Sequence, residues 1–90
     1  MASDTFALGI SKIADIVGWE KLDEDVDLVA KENETFKELY PNSYRESGVR
    51  EMNGYKIWTG ISNAEKSKIL NRLIMKNNIS NMEVLLESLN

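Results

Sequence analysis

Two near copies of one helix-start signal lie in the last third of the chain, Ile61-Ser62-Asn63-Ala64-Glu65 and Ile79-Ser80-Asn81-Met82-Glu83. In each, the serine oxygen can accept the backbone N–H three residues on, and the glutamate there can reach back to the serine N–H. In the second copy Ile79 can also staple to Val84. Past the glutamate the two sequences diverge at once, so they share a start chemistry and do not make a structural repeat. The first predicts a helix over 63–76 that buries Ile69, Leu70, Leu73 and Ile74 and stops at Asn77-Asn78, because asparagine tolerates the left-handed cap. The second predicts a helix from Asn81 to about Leu89 that buries Met82, Leu85, Leu86 and Leu89. A connection of a few residues makes the pair a compact helical corner or hairpin.

The N-terminal stretch carries a third helix. Phe6, Ile10, Ile13, Ala14 and Val17 fall on one face at a 3.6-residue period, with Leu8 and Ile16 beside it. Ser3 or Asp4 is placed to cap it, and Gly18 to end it. So wide an apolar arc puts this helix at the centre of the fold or against a partner. Next comes the acidic run Asp23-Glu24-Asp25-Val26-Asp27. Acids gather in first turns, where they meet the positive end of the dipole, which predicts helix from about Glu24 to Tyr40. That stretch is either one long helix or two short ones, with Asn33 capping a separate helix over Glu34–Tyr40. Pro41 bars continuation. Residues 41–54 hold the turn signals Pro41-Asn42-Ser43, Ser47-Gly48 and Asn53-Gly54. Asn53-Gly54 can turn a hairpin from Val49–Met52 into Tyr55–Thr59, with extended loop as the alternative. The expected fold is mainly α, a single small domain of four to five short helices with an irregular segment or minor hairpin near residues 41–60.

The 90 residues contain no cysteine and no histidine. That excludes a disulfide framework, thiolate zinc, cysteine catalysis and any triad that needs imidazole. The five glycines are scattered and form no phosphate loop. A chain this short also has little room for a pocket that buries a substrate. No enzyme activity and no cofactor or metal are therefore expected. No apolar run approaches the ~20 residues of a membrane span, and the start Met1-Ala2-Ser3-Asp4 lacks the features of a secretory signal. The expectation is a cytoplasmic protein with no membrane contact.

Charge is unevenly spread. Acids outnumber bases by 11 to 5 from Asp15 to Glu51, whereas from Tyr55 to Asn78 Glu65 alone stands against Lys56, Lys66, Lys68, Arg72 and Lys76. The two segments can neutralise each other in the fold, or pair the chain with a partner or a second copy. Lys68, Arg72 and Lys76 recur every four residues, a stripe suited to phosphates or an acidic partner, or simply to a solvated face. A helix-turn-helix reading is weak, because the second helix would turn Glu83 and Glu87 toward the phosphates. Nucleic acid is therefore not the expected partner, and the net charge of −4 agrees. Asp23, Asp25, Asp27 and Glu34 match four ligand positions of a calcium loop, but Leu28 stands where that loop needs glycine and Lys31 where it needs a ligand.

Among the large amphipathic residues, Trp58 lies between turn signals beside Tyr55 and Lys56, and it is the best aromatic candidate for an interface anchor. The expected function is that of a small acidic regulator, adaptor or inhibitor that binds another protein. Its contact surface would be Tyr55, Lys56 and Trp58 with Asp23, Asp25 and Asp27. Small size and an Asn/Lys/Ile-rich composition fit the proteins that phages and mobile elements encode. The alternatives are a nucleic-acid-binding regulator using the basic face of residues 63–76, and a structural subunit of a larger assembly.

Overall fold

The computed structural model describes residues 1–80. Helix α1 (Ser3–Val17) is followed by α2 (Trp19–Asp25), strand β1 (Val29–Ala30), α3 (Asn33–Leu39), a 3-10 turn (Glu46–Gly48), strands β2 (Val49–Met52) and β3 (Tyr55–Trp58), and α4 (Asn63–Lys76). The chain is mainly helical, as expected. A three-stranded antiparallel sheet of order β1-β3-β2 nevertheless takes the place of part of the expected bundle. The helix read over Asn81–Leu89 lies outside the described residues.

The α1 stripe forms as its period requires. Phe6, Ile10, Ile13 and Ala14 are fully buried, and the helix packs against α2, α4, β2 and β3, which makes it the central element. Its N-cap is Ala2, and neither Ser3 nor Asp4 supplies a side-chain cap. Gly18 ends the helix at φ 102°, a region that favours glycine. Its N–H donates to the Ala14 carbonyl and its own carbonyl accepts the Leu22 N–H, so one residue closes α1 and opens α2. Trp19 Nε1 donates to Asp15 across this corner at 3.1 Å.

Of the readings of 24–40, the separate short helix at its end forms as α3, whereas the helix from Glu24 does not. The acidic run does not begin a helix; Asp23, Glu24 and Asp25 end α2. Beyond it Val26, Leu28, Val29 and Ala30 are all buried. Val29 and Ala30 pair with Ile57 and Lys56 of β3, and the Leu28 carbonyl accepts the Trp58 N–H. Strand pairing thus overrides the helix signal, since β3 has a second edge to satisfy. The shorter helix α3 then forms before Pro41, capped at Glu32 without a side-chain bond.

The hairpin reading holds. Val49–Met52 pair with Trp58–Tyr55 in register, and the turn residues Asn53 and Gly54 have φ of 55° and 77°, the two positive values that a tight hairpin of this kind requires. Helix α4 also begins and ends where the sequence places it. Ser62 Oγ accepts the Glu65 N–H, and past the helix Asn78 adopts φ 57° while the Ile79 N–H bonds back to the Ile74 carbonyl. Leu73 is buried, with Ile69, Leu70 and Ile74 partly so, while Met75 is 81% exposed. The unforeseen member of this face is Lys66. It is 5% exposed, with Nζ 3.4 Å from the Met1 carbonyl and 6.0 Å from the centre of the Phe6 ring.

Candidate functional site

The hairpin, the loop after α3 and the start of α1 together build the most organised surface feature. Trp58, the last residue of β3, is 1% exposed. It stacks with Phe36, Tyr40 and Tyr44, at centroid distances of 6.2, 5.7 and 5.5 Å. The ring fits because Gly48 and Gly60 have no side chains. A Cβ at Gly60 would lie 2.2 Å from Cζ2, and one at Gly48 2.7 Å from Cζ3. Thr59 fixes this arrangement, with its backbone N–H and its hydroxyl both donating to the Gly48 carbonyl, at 2.8 and 2.7 Å.

A cleft of about 460 Å³ opens over this corner. Ser3, Asn42, Ser43, Ser47 and Arg45 line it above Trp58, and no lining residue is acidic. Arg45 is exposed and forms no ion pair among the described residues. The first-turn carboxylate of α1, Asp4, is held by Arg50 Nε at 2.6 Å, and Arg50 Nη1 donates to the Ser47 carbonyl. Trp58 Nε1 and the Tyr44 hydroxyl are buried with no hydrogen-bond partner among the described residues.

The residues singled out from the sequence are dispersed. Trp58 and Tyr55 are inside, Tyr55 at 8% exposure and stacked on Trp19 at 5.3 Å, so neither ring is offered as a surface anchor. The physical reason is the sheet, whose central strand turns both rings into packed layers. Lys56 is half-buried and pairs across the strands with Glu51 at 3.2 Å. Asp25 reaches Lys76 at 3.4 Å, joining the acidic and the basic segment, and Lys21 donates to Asn77 nearby. Asp23 is half-buried and Asp27 exposed, while Lys68 and Arg72 are exposed on α4. Asp23 and Asp25 lie within α2, so the calcium loop that their spacing suggested does not form. Among the described residues no cluster of acids could hold a metal ion, and no helix is long and apolar enough to cross a membrane.

Burial raises the Tyr40 hydroxyl above its ordinary value, with the negative charges of Asp27 and Glu65 adding to the shift. Asp27, in the turn between α2 and β1, and Glu65, in the first turn of α4, thus act on the same hydroxyl.

The sequence marked Ser3 as a cap candidate and Asn42, Ser43 and Ser47 as turn residues, but did not bring them together with Arg45 as a site. The available signal was the glycine pair, Gly48 and Gly60, on either side of a strand that ends in tryptophan. Comparisons with protein-family models, curated proteins and solved structures give no match.

Proposed function

We propose that this chain is a non-catalytic protein-binding module, a small acidic regulator, adaptor or inhibitor that acts in the cytoplasm on a partner with a basic surface. The supporting observation is the end of α2. Asp23, Glu24 and Asp25 occupy its last turn, and no basic residue stands there. Negative charge at a helix C-terminus opposes the dipole, and lysine or arginine would serve the fold better. Of the three, Asp25 has a cationic partner in Lys76. Glu24 and Asp27 are exposed, as are Glu32 and Glu38 further along the chain, with Lys31 and Lys37 between them. Carboxylates kept where they weaken a helix are suited to steering and orienting a cationic surface outside the molecule. Tyr55 and Trp58 leave this contact surface because they are buried, and the acidic residues carry it.

The test is the double charge reversal Glu24→Lys with Asp27→Lys. The immobilised parent should retain a specific protein from an extract of its source cells and release it as salt is raised. The variant should fold and melt at least as well, yet retain none of it. Retention that is insensitive to both salt and charge reversal refutes the reading.

A nucleic-acid reading has less support, since Lys76 of the basic stripe is engaged by Asp25 and Glu65 stands at the head of the same helix. It would gain the lead if salt-sensitive retention on DNA were abolished by Lys68→Glu with Arg72→Glu. A structural subunit, or a homodimer, would instead show as multimers in light scattering with no partner added.

A further inference from the structure

We propose that the cleft between the start of α1 and the loop after α3 binds a phosphate group, either free or as the monoester of a small molecule. This site is separate from the acidic surface and does not depend on it. The cleft is large enough for such a ligand, at about 460 Å³. Its charge is the reverse of the molecule's. In a chain of net charge −4, the one charged side chain in its lining is Arg45, and that guanidinium has no ion pair among the described residues.

Donors come from separate parts of the chain. Ser3 is the first residue of a 15-residue helix whose Ala2 cap offers no side chain to the first-turn N–H groups, which leaves those donors without a capping side chain. Asn42, Ser43 and Ser47 bring an amide and two hydroxyls from the loop. The Trp58 wall supplies an independent sign. Its indole N–H is buried with no acceptor among the described residues. Nε1 is bonded to Cε2, which lies 2.8 Å from the Cβ position of Gly60, another lining residue. A buried donor is expensive to leave unpaired, and an oxyanion seated against this wall, with the ring shifted enough to uncover Nε1, would give it an acceptor.

Acids near the cleft do not cancel this. Asp4 is held by Arg50, and Glu46, between Arg45 and Ser47 in the chain, is not part of the lining. Donors arriving from the helix start, the loop and the strand end suit a tetrahedral oxyanion better than a planar carboxylate, which presents two oxygens in one plane.

The test is a ¹H–¹⁵N NMR titration of the full chain with inorganic phosphate and, separately, with O-phosphoserine, with acetate at matched ionic strength as the control. Saturable shifts are expected at the Trp58 indole N–H and at the backbone amides of Ser3, Ser43, Gly48 and Gly60. Arg45→Gln should weaken binding by roughly tenfold or more, as loss of a charge-assisted hydrogen bond does. Arg45 is exposed and has no ion pair among the described residues, so the fold should persist, and Ser47→Ala gives a second, milder variant that should also weaken binding. Lys37→Gln should leave it unchanged. Binding of both phosphate ligands places a monoester in the site; binding of inorganic phosphate alone places the free ion there. The proposal is overturned if no shift saturates, if acetate reproduces the shifts, or if Arg45→Gln and the parent respond alike.

Discussion

Replacing Gly60 with alanine tests the Trp58 corner most directly. The added Cβ would stand 2.2 Å from Trp58 Cζ2, with Cη2 and Cε2 at 2.7 and 2.8 Å. Ordinary contact begins near 3.4 Å, so ring and backbone must separate by about 1.2 Å. The ring has little room to retreat, since Phe36, Tyr40 and Tyr44 stack around it and the Gly48 backbone closes in on another side. Strain of this kind in a packed core costs about 1–3 kcal/mol. For a domain of this size that lowers the melting temperature by roughly 5–20 °C. Thermal unfolding followed by far-UV circular dichroism and tryptophan fluorescence measures the loss. A double-mutant cycle with Trp58→Phe isolates the cause. The smaller ring leaves space for the methyl, so Gly60→Ala should cost at least about 0.5 kcal/mol less in the Trp58→Phe background than in the parent. A melting temperature within a degree of the parent, or strictly additive costs, would refute the argument that ring and backbone compete for this space.

Gly9→Ala should have the opposite sign. Gly9 is inside α1, and its Cβ position is 3.3 Å from Leu70 Cδ2, a methyl on a half-buried side chain that can give way. The gain in helix propensity should leave the variant more stable by about 0.5 kcal/mol, and a lower urea midpoint would show that Leu70 is fixed in place. Tyr40 should make stability fall at alkaline pH. Its folded-state pKa is raised above the ordinary 10.0, so as pH rises past that value the unfolded chain gives up its proton first and folding weakens until the folded hydroxyl also ionises. Urea titrations of the parent and Tyr40→Phe between about pH 9 and about pH 11 should therefore diverge in slope, whereas parallel curves would rule the shift out. Glu24→Lys alone should raise stability by about 0.3–1 kcal/mol, because it replaces an unfavourable charge at the end of α2 with a favourable one. A destabilised Glu24→Lys protein would remove the argument that this charge is kept at the expense of the fold.

Elements defined by local chemistry were legible in the sequence. Asn53-Gly54 specifies its turn through backbone angles that few other pairs adopt, and Ser62 marks the start of α4 with its own side chain. The stretch from Asp23 to Ala30 was not legible. The preference of acids for a helix start is a weak local bias, and it lost to the pairing of Val29 with Ile57, a partner far along the chain. The site failed to show for a related reason. A tryptophan beside a lysine reads as a surface anchor until the two glycines that admit its ring are brought to it, and Gly48 and Gly60 meet Trp58 only once β2 and β3 are paired. The contact of Asp25 with Lys76 likewise joins residues that no helical period relates.

Strand order has a consequence for how the molecule comes apart. Residues 31–48 leave the sheet from β1 and rejoin it at β2, and both strands are neighbours of β3. The segment is therefore an arch with one foot on each side of the same strand, and the ring at the end of that strand fills the space beneath it. Pulling β3 out would take away both footings and the filling together. The arch therefore has no independent way to remain standing once the strands part.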